Sequence, residues 1–146
     1  MNQRIIYSTD DGGVAVIVPA AECGLSIEEI AAKDVPAGKP YKIVSVADIP
    51  SDRLFRNAWD MKTQKITVDI GKAKTIAHDI RRAKRAAEFS PLDVKATIPH
   101  EAAAADASRQ TIREKYATIQ TQIDGATNVD ELKQVVKALT DNFPPA

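Results

Sequence analysis

Four cations fall within five consecutive positions, Arg81, Arg82, Lys84 and Arg85. Side chains of this kind at this density have two uses: holding the phosphates of a nucleic acid, or pairing with the carboxylates of an acidic partner. A third outcome needs no ligand, because cations in the C-terminal half of a helix suit its dipole and remain solvated. The charge balance favours this last reading, since Lys+Arg and Asp+Glu both total 20 and no aromatic residues interleave with the basic run. The remaining chemistry-bearing types are sparse. His78 and His100 are the only histidines, and neither has a second ligand at metal spacing on its helix face. Cys23 is the only cysteine, which excludes an internal disulfide and a cysteine-based metal site, and it is expected as a small buried apolar residue. Phosphate-binding glycine loops, nucleophile elbows and cysteine–histidine pairings are not found, and nothing selects one carboxylate pair among the acids. No enzyme, cofactor or metal is expected.

The basic run sits on a helix that, with its successor, organises the chain. Over 69–89, Ile70, Ala73, Ala77, Ile80 and Ala87 recur at three- and four-residue steps, with Lys84 standing where an apolar residue would fit. Over 101–123 the pattern repeats at Ala105, Ile112, Tyr116, Ile119 and Ile123. Between them, SPLDVKATIP (90–99) reads as a Pro-bounded loop, so the two stripes are expected to meet as an antiparallel hairpin. Ile112, Tyr116 and Ile119 should face Ile76, Ile80 and Ala83 or their neighbours. Gly125 is expected to end the second helix. Asn128 and Glu131 cap a third helix whose apolar face is Val129, Leu132, Val135, Val136 and Leu139. Phe143, Pro144 and Pro145 close the chain as a docked or frayed end.

The preceding part of the chain has another period. Residues 4–8 (RIIYS) and 14–18 (VAVIV) are short β-branched runs joined by Thr9-Asp10-Asp11-Gly12-Gly13, a hairpin signature and not a calcium loop, which needs further oxygen ligands. Ser26 and Glu29 form a capping box for a helix over 27–33. Residues 41–46 read as a strand, and Pro50-Ser51-Asp52 opens a helical turn that stacks Phe55 over Trp59 as core. A last strand is expected over 65–68. The fold class is therefore α+β: a module of hairpin, short helices and further strands over 1–66, then a helical hairpin and short third helix over 67–146.

Hydrophobic content of 44% suits a soluble domain, while 5% aromatic limits the size of any one core. No apolar run spans a bilayer and the N-terminus has no leader pattern, so a cytoplasmic origin is expected, without membrane or nucleic-acid partners.

Two stretches resemble known proteins. GLSIEEIAAKDVPAGKPYKIV (24–44) with ADIPSDRLFRNAWD (47–60) is similar to the N-terminal module of small proteins encoded in the tail regions of tailed bacteriophages and prophages. DIGKAKTIAHDIRRAKRAAEFSPLDVKATIP (69–99) with ASRQTIREKYATIQTQIDGATNVDELK (107–133) is similar to the helical C-terminal region of the same group. The matching positions Asp48, Pro50, Asp52, Arg53, Phe55, Arg56, Asn57 and Trp59 have structural uses as turn, cap and aromatic face. The resemblance implies a structural protein of the virion tail or tail fibre, assembled in the host cytoplasm and acting by binding tail or tail-fibre proteins as a multi-copy assembly or homo-oligomer. Alternatives are an assembly chaperone not retained in the particle and a small nucleic-acid-binding regulator. It transfers no catalytic residue. Partner contacts are expected at Arg53, Arg56, Arg81, Arg82, Arg85, Leu132 and Val136.

Overall fold

Ile5 and Ile6 are neighbours in sequence and both have no exposed surface. In a strand, successive side chains point to opposite faces, so β1 (Gln3–Ser8) must be covered on both sides. The computed structural model, which describes residues 2–141, shows how. β1 lies at the centre of an antiparallel sheet of order β2-β1-β3, between β2 (Val14–Ile17) and β3 (Tyr41–Ser45). Ile5 stands opposite Ile17 and Ile43, and this face packs on Ile27, Ile30, Ala31 and Val35 of α1 (Ile27–Asp34) and its C-cap. Ile6 belongs to the other face, where Val14, Trp59 and Ile66 complete a second cluster. Two small cores share one strand, consistent with a chain poor in aromatics.

The local devices are those the residue types dictate. Thr9 N donates to Gly13 O at 3.0 Å and Gly12 takes a φ of 80° between β1 and β2, a conformation that costs glycine nothing. At α1, Glu29 N donates to Ser26 Oγ at 3.2 Å and Ser26 N to Glu29 Oε2 at 2.7 Å, the reciprocal capping box. These hydrogen bonds hold the Glu29 carboxyl below its ordinary range. β4 (Trp59–Asp60) pairs with β5 (Thr67–Val68), Trp59 opposite Val68.

The stretch before β4 differs from expectation. Phe55 and Trp59 do not stack on a helix: Asp52 Oδ1 accepts from Leu54 N at 2.7 Å, and only Arg56–Ala58 form a 3-10 turn before Trp59 turns extended. The Asp side chain competes for the backbone donor a helix would use, and Trp59 has a ladder partner in β5. Both aromatic rings are nevertheless buried. Cys23 is exposed, not buried, because it lies in the turns between β2 and α1.

The chain divides into two compact units, 1–69 and 70–146. The second holds α2 (Ile70–Lys95), α3 (Ala102–Gly125) and α4 (Val129–Asp141). α2 is longer than its sequence suggests and spans about 39 Å at the standard rise. Pro91 lies inside it, so no loop begins at Ser90. Proline removes one donor, the one that would reach the Ala87 carbonyl; Ala87 and Pro91 are both exposed, so the lost bond falls on a solvent-facing stretch of the helix. The connection is instead a short run of turns in which Ile98 N donates to Lys95 O and Glu101 N to Ile98 O.

α2 and α3 run antiparallel, joined along their length by His78 with Asp124 near one end, Arg81 with Gln120, Glu88 with Tyr116, and Asp93 with Arg109 near the other. Of the expected stripes, Ala73, Ala77, Ala105, Tyr116 and Ile123 are buried. Ile70, Ile76, Ile80, Ile112 and Ile119 are half-buried, while Ala83 and Ala87 are exposed, so neither alanine belongs to the seam. Gly125 is the last residue of α3 and Ala126 its cap. At α4, Glu131 N donates to Asn128 Oδ1 at 2.9 Å, but the Glu131 carboxylate accepts from Thr127 N at 2.7 Å and Thr127 Oγ1 at 3.1 Å, one residue earlier than a capping box on Asn128 requires. α4 packs on both α2 and α3. Phe143, Pro144 and Pro145 lie outside the described residues.

Candidate functional site

The basic residues of α2 meet α3 in a groove. Arg81, Arg82 and Arg85 come from α2; Arg113, Tyr116 and Gln120 come from α3, and the cavity they line measures about 480 Å³. Helical spacing places Arg81 and Arg85 four residues apart, one above the other, and the antiparallel course of α3 sets Arg113 on the opposite wall. Ala86 and Ala117 supply the remaining lining, and their short side chains leave the space open.

The four guanidinium groups are held differently. Arg81 is half-buried, donates from Nη1 to Gln120 Oε1 at 2.7 Å, and keeps a buried Nε without a partner. Arg82 pairs with Asp79 at 2.7 Å, both side chains well exposed, a link worth little in water. Arg85 and Arg113 lie 4.8 and 5.9 Å from the ring centroid of Phe89. Such contact orients a guanidinium without neutralising it. Arg113 adds only a hydrogen bond of 3.3 Å to Gln110. Among the described residues no carboxylate lies within ion-pair distance of Arg81, Arg85 or Arg113, and none lines the groove.

Acids are present at the margins, already engaged. Glu88 Oε1 accepts from Tyr116 Oη at 2.9 Å and from Lys115 Nζ at 2.7 Å. Burial, followed by the hydrogen bond to Glu88 and its negative charge, pushes the Tyr116 phenol well above its ordinary pKa. On the other side His78 Nε2 donates to Asp124 Oδ1 at 2.8 Å. A carboxylate can only accept, so Nε2 carries a proton in this contact, and the buried Nδ1 has no hydrogen-bond partner.

The other expected contact residues are elsewhere. Arg53 is exposed. Arg56 is turned inward: Nη2 donates to Val14 O at 2.6 Å, and the guanidinium lies 4.4 Å from the Trp59 ring centroid. Burial, and then the charge of Arg53, lower its pKa. Leu132 and Val136 are 0% and 1% exposed, so they are core and offer a partner no side-chain surface. His100 is exposed at the turn before α3, lining a separate shallow depression with Leu92 and Glu101. Asp60 is the one buried acid among the described residues: burial raises its pKa, but the Lys62 amide, the Thr67 hydroxyl and the Lys62 charge outweigh that and leave it lowered. Those bonds close the β4–β5 turn, a structural use.

Arg113, Phe89 and Gln120 were not singled out from sequence. The signal was available in principle, since an antiparallel pairing of the two stripes brings Arg113 opposite the basic run. Among the described residues no group of three or more His, Cys, Asp or Glu is placed to hold a metal ion, and no helix is long and apolar enough to cross a membrane. Compared with known proteins, the chain matches no family model, no curated protein and no solved structure.

Proposed function

We propose that this chain is a bacteriophage tail-associated structural protein, a tail or tail-fibre accessory component that acts by binding other proteins. The observation carrying the binding role is the α2–α3 hairpin, which presents an arginine-lined groove and also bears apolar side chains covered only in part: Ile80, Ile112 and Ile119 are half-buried and Val94 is 64% exposed. Half-covered apolar area of this kind is stabilised further when a partner removes it from water. The tail assignment rests on the sequence resemblance of residues 24–44, 47–60, 69–99 and 107–133 to small tail-region proteins. In this reading the chain is made in the host cytoplasm and takes its place in the virion tail in several copies.

Mass spectrometry of purified particles tests it. The chain is expected in the particle, and in complexes pulled down with a tail or tail-fibre protein. Association with fibre protein during infection, without retention in the particle, assigns the chaperone role instead. A chain missing from both places rules out the tail.

A further inference from the structure

We propose that the α2–α3 groove is a docking site for an acidic segment of a partner protein, one that presents two or more neighbouring carboxylates to Arg81, Arg85 and Arg113. It rests on the binding role proposed above and names the chemistry of what is bound.

Charge complementarity is the first argument. Four guanidinium groups line one cavity and no lining residue is acidic. Like charges this close repel, and the arrangement costs free energy unless an anion or solvent screens it. An intramolecular carboxylate could relieve the repulsion, but Glu88 is already bonded to Tyr116 and Lys115, and Asp79 reaches only Arg82. The second argument is preorganisation. Phe89 holds Arg85 and Arg113 from two different helices beside one ring, and Gln120 holds Arg81, so the donors are positioned before any ligand arrives. A guanidinium held in this way loses less freedom on pairing, and its planar fork matches a carboxylate in two hydrogen bonds.

Size and surroundings favour protein over nucleic acid. A phosphate backbone is held by charges laid along an extended track. Here the track is interrupted on both sides by acids, Asp124 and Asp79 toward one end of the hairpin and Glu88 and Asp93 toward the other. A cavity of about 480 Å³ accepts a few side chains.

The experiment is a titration of the full chain into fluorescein-labelled hexaglutamate followed by anisotropy, with hexaglutamine and a labelled oligothymidylate as comparison probes. Binding of hexaglutamate in preference to both is expected. Because Arg85 and Arg113 are exposed, the double variant Arg85→Gln/Arg113→Gln should melt as the unmodified chain does while binding about tenfold more weakly or worse. The variant Arg85→Lys/Arg113→Lys should fall between, and Lys95→Gln/Lys137→Gln, outside the groove, should bind as the unmodified chain does. Ala117→Glu, which places a carboxylate in the groove from an exposed position, gives a second blockade independent of arginine removal. Equal binding by both groove variants, or tighter binding of oligothymidylate through the same arginines, overturns the proposal. Particle composition does not enter this measurement: a virion protein that ignores hexaglutamate loses only the groove, and a groove that binds in a protein missing from particles loses only the tail.

Discussion

Tyr116 Oη donates to Glu88 Oε1 at 2.9 Å, and through that bond the largest buried side chain of α3 is tied to a carboxylate on α2. The same oxygen accepts from Lys115 Nζ at 2.7 Å. One carboxylate thus satisfies a phenol that is otherwise surrounded by packing, and a neighbouring cation compensates its charge. The pair lies beside the arginine groove, with Tyr116 contributing to the groove wall.

Replacing Tyr116 by Phe should cost about 0.5–1.5 kcal/mol, the net worth of one hydrogen bond, because the ring still fills its site. The pH dependence has a definite sign. The folded chain ionises this phenol only well above its ordinary value of 10.0, so the contribution is complete below pH 10 and is lost as pH rises through the folded value. Denaturant melts from pH 9 to 11.5 should show the unmodified chain losing stability faster than Tyr116→Phe; parallel slopes would remove the linkage.

Ala77 and Ala87 differ in a way their shared helix conceals. Ala77 has no exposed surface and Ala87 is exposed. Ala77→Leu should therefore cost about 1–3 kcal/mol by overpacking, while Ala87→Leu should stay within about 0.5 kcal/mol of the unmodified chain. Thermal melts of the two variants side by side decide between this placement and a continuous stripe through Ala87.

That contrast shows what a sequence of this kind reveals. The helix pair, the capping box at Ser26 and the hairpin at Thr9 to Gly13 were legible because each is written in nearest neighbours or in a helical period. Pro91 misled because proline breaks helices on average, whereas here its lost donor falls on an exposed face near the helix end. Phe55 and Trp59 misled because a four-residue spacing is also compatible with a turn followed by a strand. The groove was half legible: Arg81, Arg82 and Arg85 announce themselves as a run, but Arg113 and Phe89 join them only through the register of two helices, which no local pattern encodes.

Arg56 gives a spectroscopic test of the first unit. Its guanidinium lies over Trp59, the only tryptophan, and donates to Val14 O. Arg56→Lys keeps a cation but loses the planar contact, so a loss of about 1 kcal/mol and a changed Trp59 emission are expected. Unaltered fluorescence and melting would place Arg56 outside the packing of this unit.

At the start of α4, Asn128→Ala should cost about 1 kcal/mol through loss of the bond from Glu131 N. Glu131 itself is held below its ordinary value of 4.5, chiefly by the Thr127 amide and hydroxyl. A lowered carboxyl contributes above that value and loses its contribution as pH falls through the folded one. Glu131→Gln should accordingly flatten the acid limb of the stability profile, measured by urea melts between pH 3 and 6, and an identical limb would count against the cap.

The two-sided burial of β1 weakens the hydrophobic penalty that would otherwise fix its alignment. Where one face of a sheet is polar, sliding a strand by a single residue exposes its apolar set and is heavily penalised. In this chain a slip exchanges Ile5 for Ile6, so an isoleucine still enters each core, and the penalty that remains is that of moving Tyr7 off the α1 face. The choice of alignment then falls to the Thr9–Gly13 turn, where the Thr9 N to Gly13 O bond and the positive φ of Gly12 admit one pairing, with Ser8 opposite Val14. Five residues, none of them fully buried, thereby help decide which of two sheets forms, and lesions in that turn should produce coexisting alignments, visible as doubled amide resonances, before they produce an unfolded chain.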